Sequence, residues 1–77
     1  MGKEVFAQRL KLLRIKKNIS TRHLARVLGY RSSGSIFELE SGISFPSVEK
    51  LIILAQYFNV SIDWLVGNSN NSSRGHL

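Results

Sequence analysis

The sequence predicts an all-α fold of five short helices for this 77-residue chain, on three observations. Apolar residues recur at helical spacing in successive segments, and no stretch alternates as a strand would. Two of these segments, within residues 20–42, are separated by Gly29 and a tight bend. The first of the two carries a small residue, Ala25, at its middle, where a second helix can cross closely.

The first helix is predicted over residues 3–17. Phe6, Leu10 and Leu13 (i, i+4, i+7) form its inner stripe, and basic residues take much of the remainder. Lys16-Lys17-Asn18 suits the last turn, because cations meet the negative end of the helix dipole and Asn tolerates a left-handed cap. Ser20 is a natural N-cap for the second helix. A reciprocal capping box would place Glu or Gln at position 23. His23 stands there instead and is read as an exposed helix residue with no metal or catalytic role.

Leu24, Ala25 and Leu28 give the second helix a single apolar face. Gly29 ends it, since glycine accepts a left-handed φ without a Cβ clash. A polar stretch, Arg31 to Ser35, then opens the third helix, whose buried side is Ile36 and Leu39. Ser32 and Ser33 compete as its N-cap, so the helix starts near one or the other. Gly29 alone is an ordinary cap. Ala25, Gly29 and the apolar Tyr30, Ile36 and Leu39 taken together describe a helix-turn-helix unit.

After Gly42 a loop over residues 43–45 leads to Pro46-Ser47, with Ser47 capping a fourth helix. Val48, Leu51, Ile52, Ala55 and Phe58 form its predicted inner stripe, widened by Leu54, with Ile53 and Tyr57 towards the outside. Asn59-Val60 ends that helix, and Ser61 caps a short fifth one with Asp63 in its first turn and Ile62 and Leu65 inward. Residues 3–67 thus read as one domain. Residues 68–77 lack the apolar content to order themselves and read as a disordered tail or the stub of a linker.

Composition narrows the function. With no cysteine, disulfides, thiolate metal sites and cysteine nucleophiles are excluded. His23 and His76 have no second ligand near them, so neither a metal nor any other cofactor is expected. The longest apolar run, Leu51–Ala55, is far short of the about twenty residues of a membrane span, and no secretory signal is visible. The expectation is a soluble cytoplasmic protein. No carboxylate pair or phosphate loop suggests an enzyme: Glu38 and Glu40 lie two apart, on different helix faces. Charge is the informative feature. Through Arg31 the chain holds nine Lys or Arg against Glu4 alone, whereas from Ser32 onward two bases face four acids. A net +6 chain polarised in this way suits a polyanion-facing surface on its first half.

The sequence resembles the lambda-repressor-like, Cro/CI-type (XRE) DNA-binding domains, particularly phage and prophage repressors. The carriers are R-L-K-L-L-R at 9–14, I-S-x-x-x-L-A-x-x-L-G at 19–29 and I-x-x-L-E-S-G at 36–42. F-P-S-V-E-K-L at 45–51 and L-A-Q-Y-F-N-V-S-I-D-W-L-V-G at 54–67 extend it over nearly the whole chain. The resemblance implies five helices with the third in the major groove of double-stranded DNA. It also implies an ion pair between Arg14 and Glu40, with Arg14 able to reach phosphate as well. The bend departs from the commonest family form: seven positions, 29–35, precede Ile36 where six are usual. The start of the third helix is shifted accordingly, and Thr21, Arg22 and His23 replace the Gln and acids often found there.

The function so implied is sequence-specific DNA binding by a transcriptional regulator, a phage-type repressor occupying its operator as a homodimer, formed either in solution or only on DNA. Thr21 and Arg22, at the start of the second helix, are placed to hold a phosphate. Arg31, Ser32, Ser33, Ser35 and Glu38 are the candidates to reach bases. Glu38 either accepts from a cytosine amine or repels phosphate, and an outward Phe37 either meets a thymine methyl or marks a protein contact. Trp64, with Ile53 and Tyr57, is the candidate dimer contact, a buried core Trp being the competing reading. Exposed Phe37, Ile43 and Phe45 also fit a rival function, a protein-binding helix-turn-helix module.

Overall fold

The computed structural model describes residues 2–73. The last four residues of the expected tail, His76 among them, lie outside the described residues. Five helices follow in chain order: α1 (Lys3–Lys16), α2 (Thr21–Leu28), α3 (Gly34–Glu40), α4 (Val48–Phe58) and α5 (Ile62–Leu65). Among the described residues there is no strand.

Local chemistry accounts for most of the boundaries. The hydroxyls of Ser20, Ser47 and Ser61 accept from the backbone N–H of His23 (3.0 Å), Lys50 (3.2 Å) and Trp64 (3.0 Å). Each satisfies one of the N–H groups that a helix start leaves without a partner. Gly29 closes α2 at φ +81°, and its N–H and that of Tyr30 return to the carbonyls of Arg26 and Ala25. Asn18 and Asn59 take the same left-handed conformation, at φ 59° and 56°, after α1 and α4.

α1 packs against α3 and α5, while α2 packs on α3 and α4. The enclosed core is Phe6, Leu10, Leu24, Leu28, Ile36, Leu39, Leu54 and Leu65, all essentially inaccessible to water. Burying each such side chain contributes about 1.5–3 kcal/mol, set against chain entropy. Ala25, the small residue at the middle of α2, is 2% exposed and part of the core cluster, and α2 packs on α3. Phe45, 40% exposed, tilts its ring onto Phe6 with the centroids 5.2 Å apart.

Three expectations are corrected. α4 is rolled about its axis: Leu51, Leu54 and Ala55 are buried, whereas Val48 and Ile52 are 72% and 42% exposed. Its inner face is the one that meets α2 and α5, and Val48 and Ile52 lie on the flank of that face. Ile62 is 38% exposed, so α5 turns in Leu65 and the following Val66 instead. Finally, neither Ser32 nor Ser33 caps α3 through its hydroxyl. Ser33 holds the N-cap position with helical angles (φ −69°, ψ −14°) in place of the extended ones a side-chain cap requires, and its hydroxyl makes no cap hydrogen bond.

Residues 69–72 lie against α1 and α5. Arg9 Nη1 donates to the carbonyl oxygens of Trp64 and Ser69, the latter at 2.9 Å, and Nη2 to Asn70 Oδ1 at 3.3 Å. The Ser61 N–H donates to the Ser72 carbonyl at 3.0 Å. Among the described residues no helix is long and apolar enough to cross a membrane.

Candidate nucleic-acid interface

Three exposed arginines stand on α2 and in the bend that follows it. Arg22 and Arg26 stand four residues apart on one face of α2, and Arg31 follows the Gly29 cap. Together with Ala25, Tyr30, Ser32 and Ser33 they line a concavity of about 390 Å³. No carboxylate lines it. Tyr30 forms one wall, half-buried, with the Lys50 ammonium 5.2 Å from its ring centroid, and burial pushes its phenol above the ordinary value. Thr21 is half-buried at the start of α2, beside the exposed Arg22.

α3 leaves this concavity at Gly34. Ile36 and Leu39 anchor its inner side, which turns Phe37 (64% exposed) and Glu38 outward, with Ser35 half-buried. The structure therefore brings Arg22, Arg31, Ser32 and Ser33 to one place, with Ser35 and Glu38 further along α3. Arg26 and Tyr30 belong to the same place and escaped the sequence reading. The i, i+4 spacing of Arg22 and Arg26 was the available signal for the first; the fold of the bend alone reveals the second.

Arg14 lies apart from them, on the seam between α1 and α3. Its Nε donates to Glu40 Oε2 at 2.6 Å and its Nη2 to Glu40 Oε1 at 3.1 Å, a two-pronged pair with side chains only 15% and 7% exposed. Nη1 donates to the Ile19 carbonyl at 3.0 Å, which ties in the α1–α2 turn. The hydrogen bond to Glu40 holds the guanidinium above its ordinary pKa, burial working in the opposite direction. Three of its five N–H groups are thus committed within the chain, leaving two for any phosphate.

The residues read as a dimer contact are engaged internally. Trp64 is half-buried with the Arg9 guanidinium 4.7 Å above its ring. Tyr57 packs edge-on against Phe58, lies 5.1 Å from the Lys17 ammonium and has its hydroxyl 3.3 Å from His23 Nε2. Ile53 is partly buried against the core. The apolar side chains that α4 and α5 expose are Val48, Ile52 and Ile62.

A family profile for the helix-turn-helix domain matches residues 7–70. The chain is 38% identical over 61 residues to the HTH-type transcriptional activator BcrR of Enterococcus faecalis, a stretch covering 79% of this chain and 29% of that one. The chain thus spans less than a third of the length of that relative. Its fold superimposes on the P22 c2 repressor, solved in complex with a synthetic operator, with a TM-score of 0.77 at 25% identity, covering 84% of this chain and 97% of the other. The restriction-modification controller protein C.AhdI of Aeromonas hydrophila gives a TM-score of 0.71 at 27% identity, covering 82% and 94%. With five helices in the same arrangement and the profile running through all of them, the chain belongs to the lambda-repressor-like, XRE-type family of helix-turn-helix domains.

Proposed function

We propose that the chain is the DNA-binding domain of a sequence-specific transcription regulator, which sets α3 in the major groove and holds the flanking phosphates from the start of α2. The observation that carries this reading is the cationic concavity without acids, placed where α3 begins. The similarity to a repressor solved with its operator supports the same orientation. Phosphate contacts from Thr21 and Arg22 supply affinity and register, and side chains on the outer face of α3 and the bend supply discrimination between bases.

The finer reading is a phage-type repressor that pairs two copies on an inverted-repeat operator and blocks polymerase sterically. Two-fold symmetry in the protein matches two-fold symmetry in the site, with half-sites about one helical turn apart. Trp64, Tyr57 and Ile53 remain the proposed contact region on α4 and α5. The deciding experiment is binding of random-sequence duplex at low salt, followed by selection of an operator and its placement ahead of a reporter promoter. Reporter repression supports the repressor reading, and stimulation replaces it with an activator.

One observation favours a second reading. Phe37 and Ile43, 64% and 61% exposed, put apolar surface on α3 and just beyond it, which suits a protein partner. Failure of the chain to bind random duplex at low salt would make this the better account.

A further inference from the structure

We propose that Lys50 is a positioning residue for the reading of DNA: its ammonium, set over the Tyr30 ring and against Gly29, clamps the bend to α4 and so fixes where α3 begins. The proposal rests on the reading of DNA by α3. It makes that reading depend on a charge carried by a different helix.

Three observations meet at this point. The Lys50 Nζ stands 5.2 Å from the Tyr30 ring centroid and 3.7 Å from the place that a Cβ on Gly29 would take. The ammonium thus faces the ring's negative π surface and the C-terminal end of α2, where the helix dipole is negative. Among the described residues Lys50 forms no ion pair that would draw this charge elsewhere. Both partners also have a fixed backbone. The Lys50 N–H donates to Ser47 Oγ at 3.2 Å, in the first turn of α4, and the Tyr30 N–H donates to the Ala25 carbonyl at 2.9 Å. Tyr30 is half-buried and packs against the core. Only the lysine stem is left to be ordered when the two meet. The last observation is what α3 lacks. The other helices that follow a turn, α2, α4 and α5, each start on a serine hydroxyl, whereas α3 has no side-chain cap. Its first turn rests on backbone hydrogen bonds, from the Ser35 N–H to the Ser32 carbonyl at 3.4 Å and from the Phe37 N–H to the Ser33 carbonyl at 3.0 Å. A hold on Tyr30, just upstream, supplies the anchor that a cap would otherwise give.

The test uses the full chain and three variants, with circular dichroism as the folding control. K50M keeps the stem and removes the charge, K50R keeps the charge, and Y30L removes the ring. Binding is measured to a duplex selected by wild type and to random-sequence duplex, over a range of salt. K50M is expected to lower the preference for the selected duplex about two- to fivefold, the range that such a cation–π contact gives. The slope of log K against log salt stays unchanged, and K50R restores the preference. A slope lower by about 0.9 with the preference intact would make Lys50 a phosphate contact and overturn the clamp. Y30L should match K50M, and the double variant should lose no more than either; additive losses would also overturn it. If Y30L does not fold, K50M and K50R decide alone. A second arm needs no DNA. Amide exchange in the free chain at Ser35 and Phe37 should quicken about two- to fivefold in K50M and return to the wild-type rate in K50R, with Leu65 in α5 unaffected. Unchanged exchange at Ser35 and Phe37 ends the proposal whether or not the chain binds DNA. Faster exchange in a chain that binds no duplex keeps the clamp on α3 and removes only the DNA reading.

Discussion

Arg14 and Glu40 join the two ends of the reading unit: a guanidinium from α1 grips the carboxylate at the last residue of α3 through two parallel hydrogen bonds of 2.6 and 3.1 Å. Since Arg14 also holds the Ile19 carbonyl, the α1–α2 turn and the end of α3 share one anchor. Replacing Arg14 by Met strands a carboxylate that is 7% exposed, at a cost of about 3 kcal/mol. Urea denaturation of R14M, E40Q and the double variant is expected to show strong non-additivity, the double variant being no worse than R14M alone. Independent, additive effects would mean the pair is incidental.

Much of the fold was legible because helices announce themselves by period and cap. The Ser20, Ser47 and Ser61 caps and the Gly29 stop could be placed from residue type alone. The roll of α4 could not. Val48, Leu51, Ile52, Ile53, Leu54, Ala55 and Phe58 spread apolar character around most of the helix, so more than one face fits a core. Packing against α2 and α5 selects Leu51, Leu54 and Ala55. The candidate site was legible in its charge and illegible in its geometry. That Arg26 and Tyr30 close a concavity with Arg31 depends on how the bend folds, and no local spacing encodes it.

Gly67 is expected to be irreplaceable. It sits at φ +85°, and a Cβ there would fall 2.7 Å from Val5 Cγ1. Gly67→Ala should cost about 2 kcal/mol, combining left-handed backbone strain with the clash. Adding Val5→Ala should recover the steric part, so thermal melting of the pair separates the two causes.

Arg9 ties residues 69–72 to the domain. Removing its guanidinium in Arg9→Ala deletes the contact over Trp64 and the hydrogen bonds to Ser69 and Asn70. Stability should fall by about 1 kcal/mol. The chain has a single tryptophan, so its emission reports this site alone. A red shift of Trp64 emission and faster amide exchange at Ser61 are expected. Unchanged emission and exchange would mean that Arg9 does not hold this segment.

Glu38, outward on α3, has two possible effects that differ in outcome. As a base reader it accepts from cytosine, and Glu38→Ala relaxes preference at one base pair by about 1–3 kcal/mol of discrimination while affinity for random duplex stays level. As a bare negative charge it would oppose all DNA, and the same change would tighten every duplex equally. The first outcome is expected, and competition binding over single-position operator variants distinguishes them.

The most direct measurement is selection from a randomised duplex library by the wild-type chain and by a variant with Ser35 and Glu38 both replaced by Ala. Wild type is expected to enrich an inverted repeat with half-sites about one helical turn apart. The variant should keep its affinity for random duplex and lose the preference at the positions α3 reads. Enrichment of the same sites with undiminished preference after both replacements, or no enrichment by wild type at all, would contradict reading of DNA by α3.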